Sequence, residues 1–132
     1  MITERNKKLI REYLGAISAK PKPKHLVDRF VSDQDYALKN HIEVFEAAFP
    51  CYCMHIQDMI AEGDKVTVRF RFQGTHKGEL MGIPPSGKTV NMEGIIIYQI
   101  QDEKIIHHWI STDMADLMRQ LQSAEEEAVV NT

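Results

Sequence analysis

The sequence contains few of the residues that would place it outside the class of ordinary globular domains. Only two of its 132 residues are cysteine, too few for a disulfide framework, and we expect both thiols to be reduced. A basic excess is missing as well, since 16 Lys and Arg stand against 19 Asp and Glu. Without a basic surface to neutralise phosphates, a nucleic-acid partner is not expected.

Long apolar segments are also missing. No apolar run approaches the roughly 18 residues that a membrane-spanning helix needs. The first residues, MITERNKK, lack the apolar stretch of a signal peptide. The sequence therefore predicts a single cytoplasmic domain without a membrane partner.

The two cysteines lie close to a histidine, but their spacing does not suit a metal. Cys51, Cys53 and His55 alternate along a predicted strand and share one of its faces. Positions i and i+4 on a strand are about 13 Å apart. Zinc ligands lie at about 2.0–2.3 Å from the metal, so the three side chains cannot bind the same ion. We expect no metal site here.

Glycine and proline are scarce and concentrated in one loop. Four of the seven glycines and two of the five prolines lie in residues 74–87. Proline fixes φ and glycine supplies unusual angles, so this loop is expected to be rigid. It lacks the Walker spacing of a phosphate-binding loop. We expect it to close one side of a pocket, with Ile83 lining that pocket and His76 in solvent.

The first 50 residues carry three apolar stripes with helical spacing. The first helix has Thr3 as a candidate cap and ends before Pro21. A short second helix is predicted over residues 25–31, and a third from Tyr36 until Pro50 stops it. The first helix is expected to bury Leu9, Ile10, Tyr13, Leu14 and Ile17.

After Pro50 the apolar period changes from 3.6 to 2. Four strands are predicted, over residues 51–61, 65–73, 89–101 and 104–112, followed by a short final helix. Helices segregated from long antiparallel strands predict an α+β fold. A long antiparallel sheet twists strongly. With three helices across its concave face, such a sheet forms a cone around an apolar pocket. The domain is expected to span residues 1–122, with a frayed acidic tail over 123–132.

The C-terminal two thirds of the chain resembles the SnoaL-like polyketide cyclases of the nuclear-transport-factor-2-like superfamily. Such sequences are also labelled ester cyclases. The similarity rests on segments that occur in the family's order and spacing: AEGDKV at 61–66, GTHKGE at 74–79, GIPPSG at 82–87, KIIHHW at 104–109, and Asp113 with Leu117 to Leu121 beyond it.

The resemblance implies a reaction and two residues for it. In polyketide-cyclase members the acid that ends the last strand is the general acid/base of an intramolecular aldol closure, without metal or cofactor. Asp113 occupies that position here. Those members also carry a His five residues before the Lys of the Lys-Ile pair, where this chain has Gln99. Glutamine can hydrogen-bond a carbonyl but does not exchange a proton near neutral pH.

Each candidate residue also has a structural interpretation. Asp113 suits the N-cap of the final helix as well as proton transfer. His107 shares a strand face with Trp109 and Asp113, where it is either a second proton carrier or a surface residue. We predict that this face lines the pocket. The predicted substrate-binding residues are Tyr13, Glu93, Ile97, His107, Trp109 and Ile83.

Two functions remain open on the sequence alone. The first is a cofactor-independent enzyme that acts on a small apolar carbonyl compound by aldol closure, isomerisation or hydrolysis, and Asp113 favours it. The second is a non-catalytic module that binds a small molecule or dimerises, and Gln99 favours that one. A homodimer through the outer sheet face is expected from the superfamily, with Ile96, Tyr98, Ile106 and Ile110 as its apolar positions.

Overall fold

The computed structural model describes residues 1–130, with side chains described as far as residue 122. Within this range the helices are α1 (Ile2–Ile17), α2 (Lys24–Phe30), α3 (Tyr36–Ala48) and α4 (Met114–Val130). The strands are β1 (Cys53–Glu62), β2 (Lys65–Thr75), β3 (Thr89–Gln101) and β4 (Lys104–Thr112). They form one antiparallel sheet in the order β1-β2-β3-β4. The predicted α+β fold, with its helices over a curved sheet, is confirmed.

The N-terminal helices begin and end close to the predicted positions. α1 starts at Ile2, so Thr3 lies inside the helix rather than capping it. A 3-10 turn over Asp33–Asp35 leads into α3. The Asp35 carboxylate caps α3, because its Oδ1 accepts a hydrogen bond of 3.1 Å from the backbone N–H of Leu38.

The inner face of the sheet forms the floor of the core. Alternate residues of β2 are buried, namely Val66, Val68, Phe70 and Phe72. Across the strand pair Phe72 lies opposite Met92, and Val68 lies opposite Ile96. Because cross-strand partners point to the same side of a sheet, the buried face continues from β2 into β3.

Two irregularities change the alternation predicted for the edge strands. In β1 the register shifts between Ile56 and Asp58, so that Met59 packs on the core and Ile60 is 65% exposed. Simple alternation predicts the opposite placement, with Ile60 inward and Met59 outward. The bulge inserts one residue, so every side chain beyond it points to the other face of the sheet. A second shift lies between Gln99 and Ile100, opposite Ile106.

The predicted choice between the two faces of β3 is wrong. The prediction assigns Ile96 and Tyr98 to the outer face, but they are 2% and 1% exposed and belong to the core. Glu93 and Ile95 lie on the exposed outer face instead. Alternation shows which residues share a face, but the run Ile95-Ile96-Ile97 gives both faces an isoleucine.

The loop rich in glycine and proline folds against the C-terminal end of α3. The backbone N–H groups of Lys77 and Gly78 both donate to the Ala48 carbonyl, at 3.0 and 3.1 Å. His76 is fully buried rather than solvated, and its ring lies 5.4 Å from that of Phe49. The loop is therefore ordered, as expected, but it packs on α3.

The final helix is continuous as far as Val130. Leu117 and Leu121 are fully buried, and they pack the first two turns of this helix against the core. This helix of 17 residues is longer than the short final helix predicted, and it continues into the segment predicted to be frayed. Residues 131–132 of that predicted tail lie outside the described residues. No helix in residues 1–130 has the combination of length and apolar character that crossing a membrane requires.

Candidate active site

An apolar cavity lies between α1, α3 and the concave face of the sheet. Its volume is about 30 Å³, which is room for one or two water molecules. A larger ligand therefore requires wall side chains to move, and two of these are flexible methionines. Its wall includes Phe45, Met54, Phe70, Phe72, Met92, Ile96 and Ile110, and its polar groups belong to Tyr13, His41, Tyr52, Tyr98 and Thr112.

Three tyrosines bring hydroxyl groups to this apolar wall. Tyr13 lies on α1 and meets the ring of Tyr98, on β3, edge to face at 5.9 Å. Tyr52 precedes β1 and packs 5.0 Å from Phe72. Burial raises the pKa of all three hydroxyls, and the neighbouring tyrosines or carboxylates raise it further. All three tyrosines are therefore protonated hydrogen-bond donors near neutral pH.

A histidine paired with a buried carboxylate lies beside the cavity. His108 Nδ1 is 2.7 Å from Asp35 Oδ2, and the Asp35 side chain is only 2% exposed. His108 faces inward because it pairs across the strands with Tyr98. It does not itself line the cavity, but Tyr98 and Ile110 on either side of it do. A carboxylate on one ring nitrogen fixes the tautomer and leaves the other nitrogen as a proton acceptor.

A second histidine lines the cavity from α3. The His41 ring lies 4.4 Å from Phe45. Neither of its nitrogens has a hydrogen-bond partner among the residues that the structure describes. Burial lowers the pKa of His41, and the nearby His108 lowers it further. His41 is therefore a neutral imidazole at pH 7.

The two predicted catalytic residues lie away from the cavity and away from each other. Asp113 is exposed, and its Oδ1 accepts 2.9 Å from the backbone N–H of Asp116, which makes it the cap of α4. The half-buried Gln99 donates through Nε2 to Asp64 Oδ2 at 2.9 Å. This hydrogen bond lowers the pKa of Asp64.

Of the predicted substrate-binding residues, the structure brings only Tyr13 to the cavity. The others lie on the outer sheet face or in the loop, because the prediction exchanges the inner and outer faces of β3 and β4. On the outer face the rings of His107 and Trp109 touch edge to face at 4.4 Å. Glu93 and Ile97 lie opposite Arg71 and Thr67 on that face. Ile83, in the loop, pairs with Leu80.

Three residues of the candidate site, His41, Asp35 and His108, were not predicted from the sequence, and only His41 has a local sequence signal. His41 lies three residues after Leu38 and four before Phe45, on the flank of the apolar stripe of α3. Its helical position could have identified it. Asp35 and His108 are 73 residues apart, and no local pattern links them.

Within the part of the chain whose side chains are described, no three His, Cys, Asp or Glu residues are grouped as metal ligands. Cys51 is exposed and lies outside β1, and Cys53 is the first residue of that strand.

The curved sheet and the helices on its concave face, with an apolar cavity between them, define an α+β cone. The sequence profile of one such family, the SnoaL-like polyketide cyclases, matches residues 19–121. The chain belongs to that family. No curated protein matches the sequence.

Solved structures with the same fold share little sequence with this chain. AclR from Streptomyces galilaeus superposes with a TM-score of 0.78 at 22% identity, over 98% of this chain and 96% of AclR. TsrD from Streptomyces laurentii gives 0.74 at 24%, over 87% and 92%. A SnoaL-like polyketide cyclase from Agrobacterium tumefaciens gives 0.70 at 19%, over 88% and 97%. At these identities the likeness establishes the fold alone.

Proposed function

We propose that this chain is a cofactor-independent cytoplasmic enzyme that moves a proton on a small apolar carbonyl compound. In this proposal His108 is the base and Asp35 is its partner. The observation that carries it is the 2.7 Å contact between the two side chains at the edge of an apolar cavity. Membership of the family supports the class of chemistry but does not select the residues.

The proposed reaction follows from the geometry of the pair. Nδ1–H of His108 donates to Asp35, so Nε2 is free to accept a proton from the carbon next to the substrate carbonyl. The C–H electron pair then forms the C=C bond of an enolate, while the π electrons move to the carbonyl oxygen. Asp35 stabilises the resulting imidazolium. Where the enolate is conjugated with a second C=C bond, return of the proton to the far carbon gives isomerisation. In aldol closure the enolate carbon attacks a second carbonyl, and the imidazolium gives its proton to the alkoxide that forms.

Asp35 is well placed to hold the base still. Its Oδ1 accepts from the Leu38 N–H at 3.1 Å while its Oδ2 contacts His108. With both oxygens engaged, the carboxylate has one orientation, and the imidazole is fixed with it. A fixed base in an apolar setting is favourable because less reorganisation is needed when charge forms.

The first prediction concerns proton exchange at carbon. Small cyclic ketones and β-keto esters are incubated with the protein in D₂O, and loss of the α-proton signal is followed by NMR. Wild type is expected to accelerate exchange. Replacing His108→Gln should reduce the rate about 100-fold or more, because general base catalysis is typically worth 10²–10⁴. Asp35→Asn should also reduce it, because an amide stabilises the imidazolium less than a carboxylate does.

Asp113→Asn and His41→Gln are the matched variants for this assay. Asp113→Asn removes the acid that the sequence predicted, and it should leave exchange within about twofold of wild type since Asp113 is exposed. If Asp113→Asn abolishes exchange while His108→Gln retains it, the chemistry belongs to Asp113 and Gln99 as the sequence predicts. If His41→Gln alone abolishes it, His41 is the base.

A non-catalytic binding module is the second candidate, and Gln99, which occupies the position of the His of polyketide-cyclase members, favours it. Such a module would bind members of the ketone panel, shown by a raised melting temperature, without exchanging their α-protons. The same samples therefore separate the two functions.

The outer sheet face supports a homodimer. Ile60, Thr67, Ile97 and Trp109 lie in one row across the four strands. Ile60, Ile95 and Trp109 are 65%, 47% and 44% exposed, so three large apolar side chains of this face, here called the apolar band, are open to a partner. We propose that this band meets its copy about a two-fold axis, since one patch can serve both partners of a symmetric dimer.

A further inference from the structure

The three cavity tyrosines carry hydroxyl groups that the packing of the protein does not use. Tyr13, Tyr52 and Tyr98 are all nearly fully buried. None of their hydroxyls makes a hydrogen bond to another group in the described residues. These hydroxyls are not among the fully enclosed polar atoms that lack a partner, so each of them reaches open space, and all three tyrosines line the cavity. A polar group in such a position takes its hydrogen-bond partner from water or from a ligand.

Aromatic packing alone does not explain these residues. The same cavity wall contains Phe45, Phe70 and Phe72, which fill similar space with no hydroxyl. Phenylalanine would make the contact of Tyr13 with Tyr98 equally well. The hydroxyls therefore point to a bound group rather than to the core.

We propose that the hydroxyls of Tyr13 and Tyr98, assisted by Tyr52, form the site that binds the oxygen of the substrate carbonyl and stabilises its negative charge in the enolate. The assignment rests on the proposed function, because it supplies the oxygen site that the His108 base requires. It makes each of these tyrosines a catalytic residue that touches the reacting atoms.

The pKa shifts of Tyr13 and Tyr98 favour neutral O–H donors rather than phenolate anions in the cavity. Burial raises the pKa of Tyr13 and Tyr98, and the neighbouring Asp35 carboxylate raises both further. Both tyrosines therefore remain protonated near neutral pH, and each offers one O–H donor.

The charges of His108 and Asp35 in this proposal also indicate the class of substrate. As the proposed base, His108 must be neutral when the substrate binds, and beside the Asp35 carboxylate the pair then has a charge of −1, which disfavours a ligand that arrives as an anion. After transfer the pair is neutral and the negative charge lies on the substrate oxygen, facing the tyrosines. The site therefore selects neutral ketones and esters with an acidic α-proton over carboxylic acids.

The test uses binding, so that it does not depend on turnover. A series of substituted phenols of similar size but increasing acidity is titrated into the protein by calorimetry, with benzoate as the carboxylate comparison. Affinity should fall as phenol acidity rises, because the oxygen of a more acidic neutral phenol accepts more weakly from the tyrosine O–H donors. Benzoate should bind at least 10-fold more weakly than the least acidic phenol of the series.

Tyr13→Phe and Tyr98→Phe should each weaken the tightest phenol by about 10-fold and flatten the dependence on acidity. Tyr36→Phe is the control, since Tyr36 is 73% exposed and lies outside the cavity. If Tyr98→Phe does not fold, the phenol titration of Tyr13→Phe alone tests the oxygen site.

Affinity that does not vary with acidity in wild type, or that survives both substitutions, would overturn the oxygen site. The outcome is separable from that of the exchange assay. If phenol binding behaves as expected but His108→Gln still exchanges α-protons, the oxygen site stands and the role of His108 falls. If His108→Gln loses exchange but Tyr13→Phe and Tyr98→Phe bind every phenol as wild type does, the oxygen site falls and the base stands.

Discussion

Gly78 marks the closest approach between the loop and the helical layer. A Cβ atom at this position would lie 2.1 Å from the carbonyl oxygen of Ala47. The adjacent backbone cannot move away without loss, because Lys77 and Gly78 both donate to the Ala48 carbonyl. Only glycine leaves room for this contact.

The residue-scale prediction is that Gly78→Ala lowers the free energy of unfolding by about 2 kcal/mol, the range typical of overpacking. The measurement is equilibrium unfolding in urea. Gly15→Ala is the matched control, since Gly15 lies in the helix α1 and a Cβ atom added there would meet nothing within 4 Å. It should stabilise by up to about 1 kcal/mol through helix propensity. Equal destabilisation by both substitutions would contradict the close approach.

Individual side chains also show what the sequence could and could not predict. Helical spacing identified Tyr13 as an inward residue, and it lines the cavity. Alternation correctly grouped Ile97 with Gln99, and His107 with Trp109. It did not show which group was buried, because a β-strand pattern is symmetric between its faces when both carry isoleucine. The clue lay in β2, whose apolar face continues through Val68 to Ile96, but that step requires the strand register.

At the scale of elements, α3 is held at both ends by buried polar contacts. Asp35 ties its start to β4 through His108. At its C-terminal end, Lys22 Nζ bonds Glu46 Oε1 at 2.8 Å and the Tyr52 carbonyl at 3.2 Å. The ammonium also lies 4.0 Å from the centre of the Tyr52 ring. Because Lys22 precedes α2, one side chain joins the link between α1 and α2, the end of α3 and the start of the sheet.

The element-scale prediction compares two lysines that each pair with an acid. The Lys22 side chain is fully buried, whereas that of Lys24, which pairs with Asp28, is 86% exposed. Lys22→Met should cost about 2 kcal/mol of unfolding free energy, because Glu46 and a carbonyl lose a charged partner. Lys24→Met should cost about 0.5 kcal/mol or less, as exposed pairs do. Similar losses in urea titrations of the two variants would show that Lys22 does not hold these elements together.

The positions of the elements were largely predictable, and their long-range contacts were not. Pro50 and the turn at residues 62–64 punctuate the chain locally, so the end of α3 and the hairpin of β1 with β2 follow from nearby residues. The bulge in β1 has no such local sign. The contact between Asp35 and His108 depends on how α3 lies across β4, which local spacing does not encode.

At the scale of the whole molecule, the outer face offers an apolar band with mixed charges around it. Ile95 lies between Arg69 and Ser111 in the sheet, and Arg71 lies opposite Glu93 in the next row of that face. An apolar centre with both charge signs at its rim can meet its own copy without like charges facing one another throughout.

The whole-molecule prediction is that wild type sediments as a dimer at micromolar concentration. Ile95→Glu should weaken the dimer at least 10-fold, because two carboxylates would be buried near the two-fold axis. Val44→Glu is the control, since Val44 is 41% exposed on α3, away from the band. Sedimentation velocity over a concentration series measures both. A wild-type monomer at 100-fold higher concentration, or a dimer unaffected by Ile95→Glu, would rule out this interface.

Asp35 divides its two oxygens between the start of α3 and the ring of His108. Under the proposed function, this position would be retained for two reasons, because it begins a helix and because it orients an imidazole. A relative without the proposed reaction would still need the acid to begin its helix. Retention of this aspartate in related sequences would therefore not be evidence of retained activity, and His108 is the position at which lost function would first become visible.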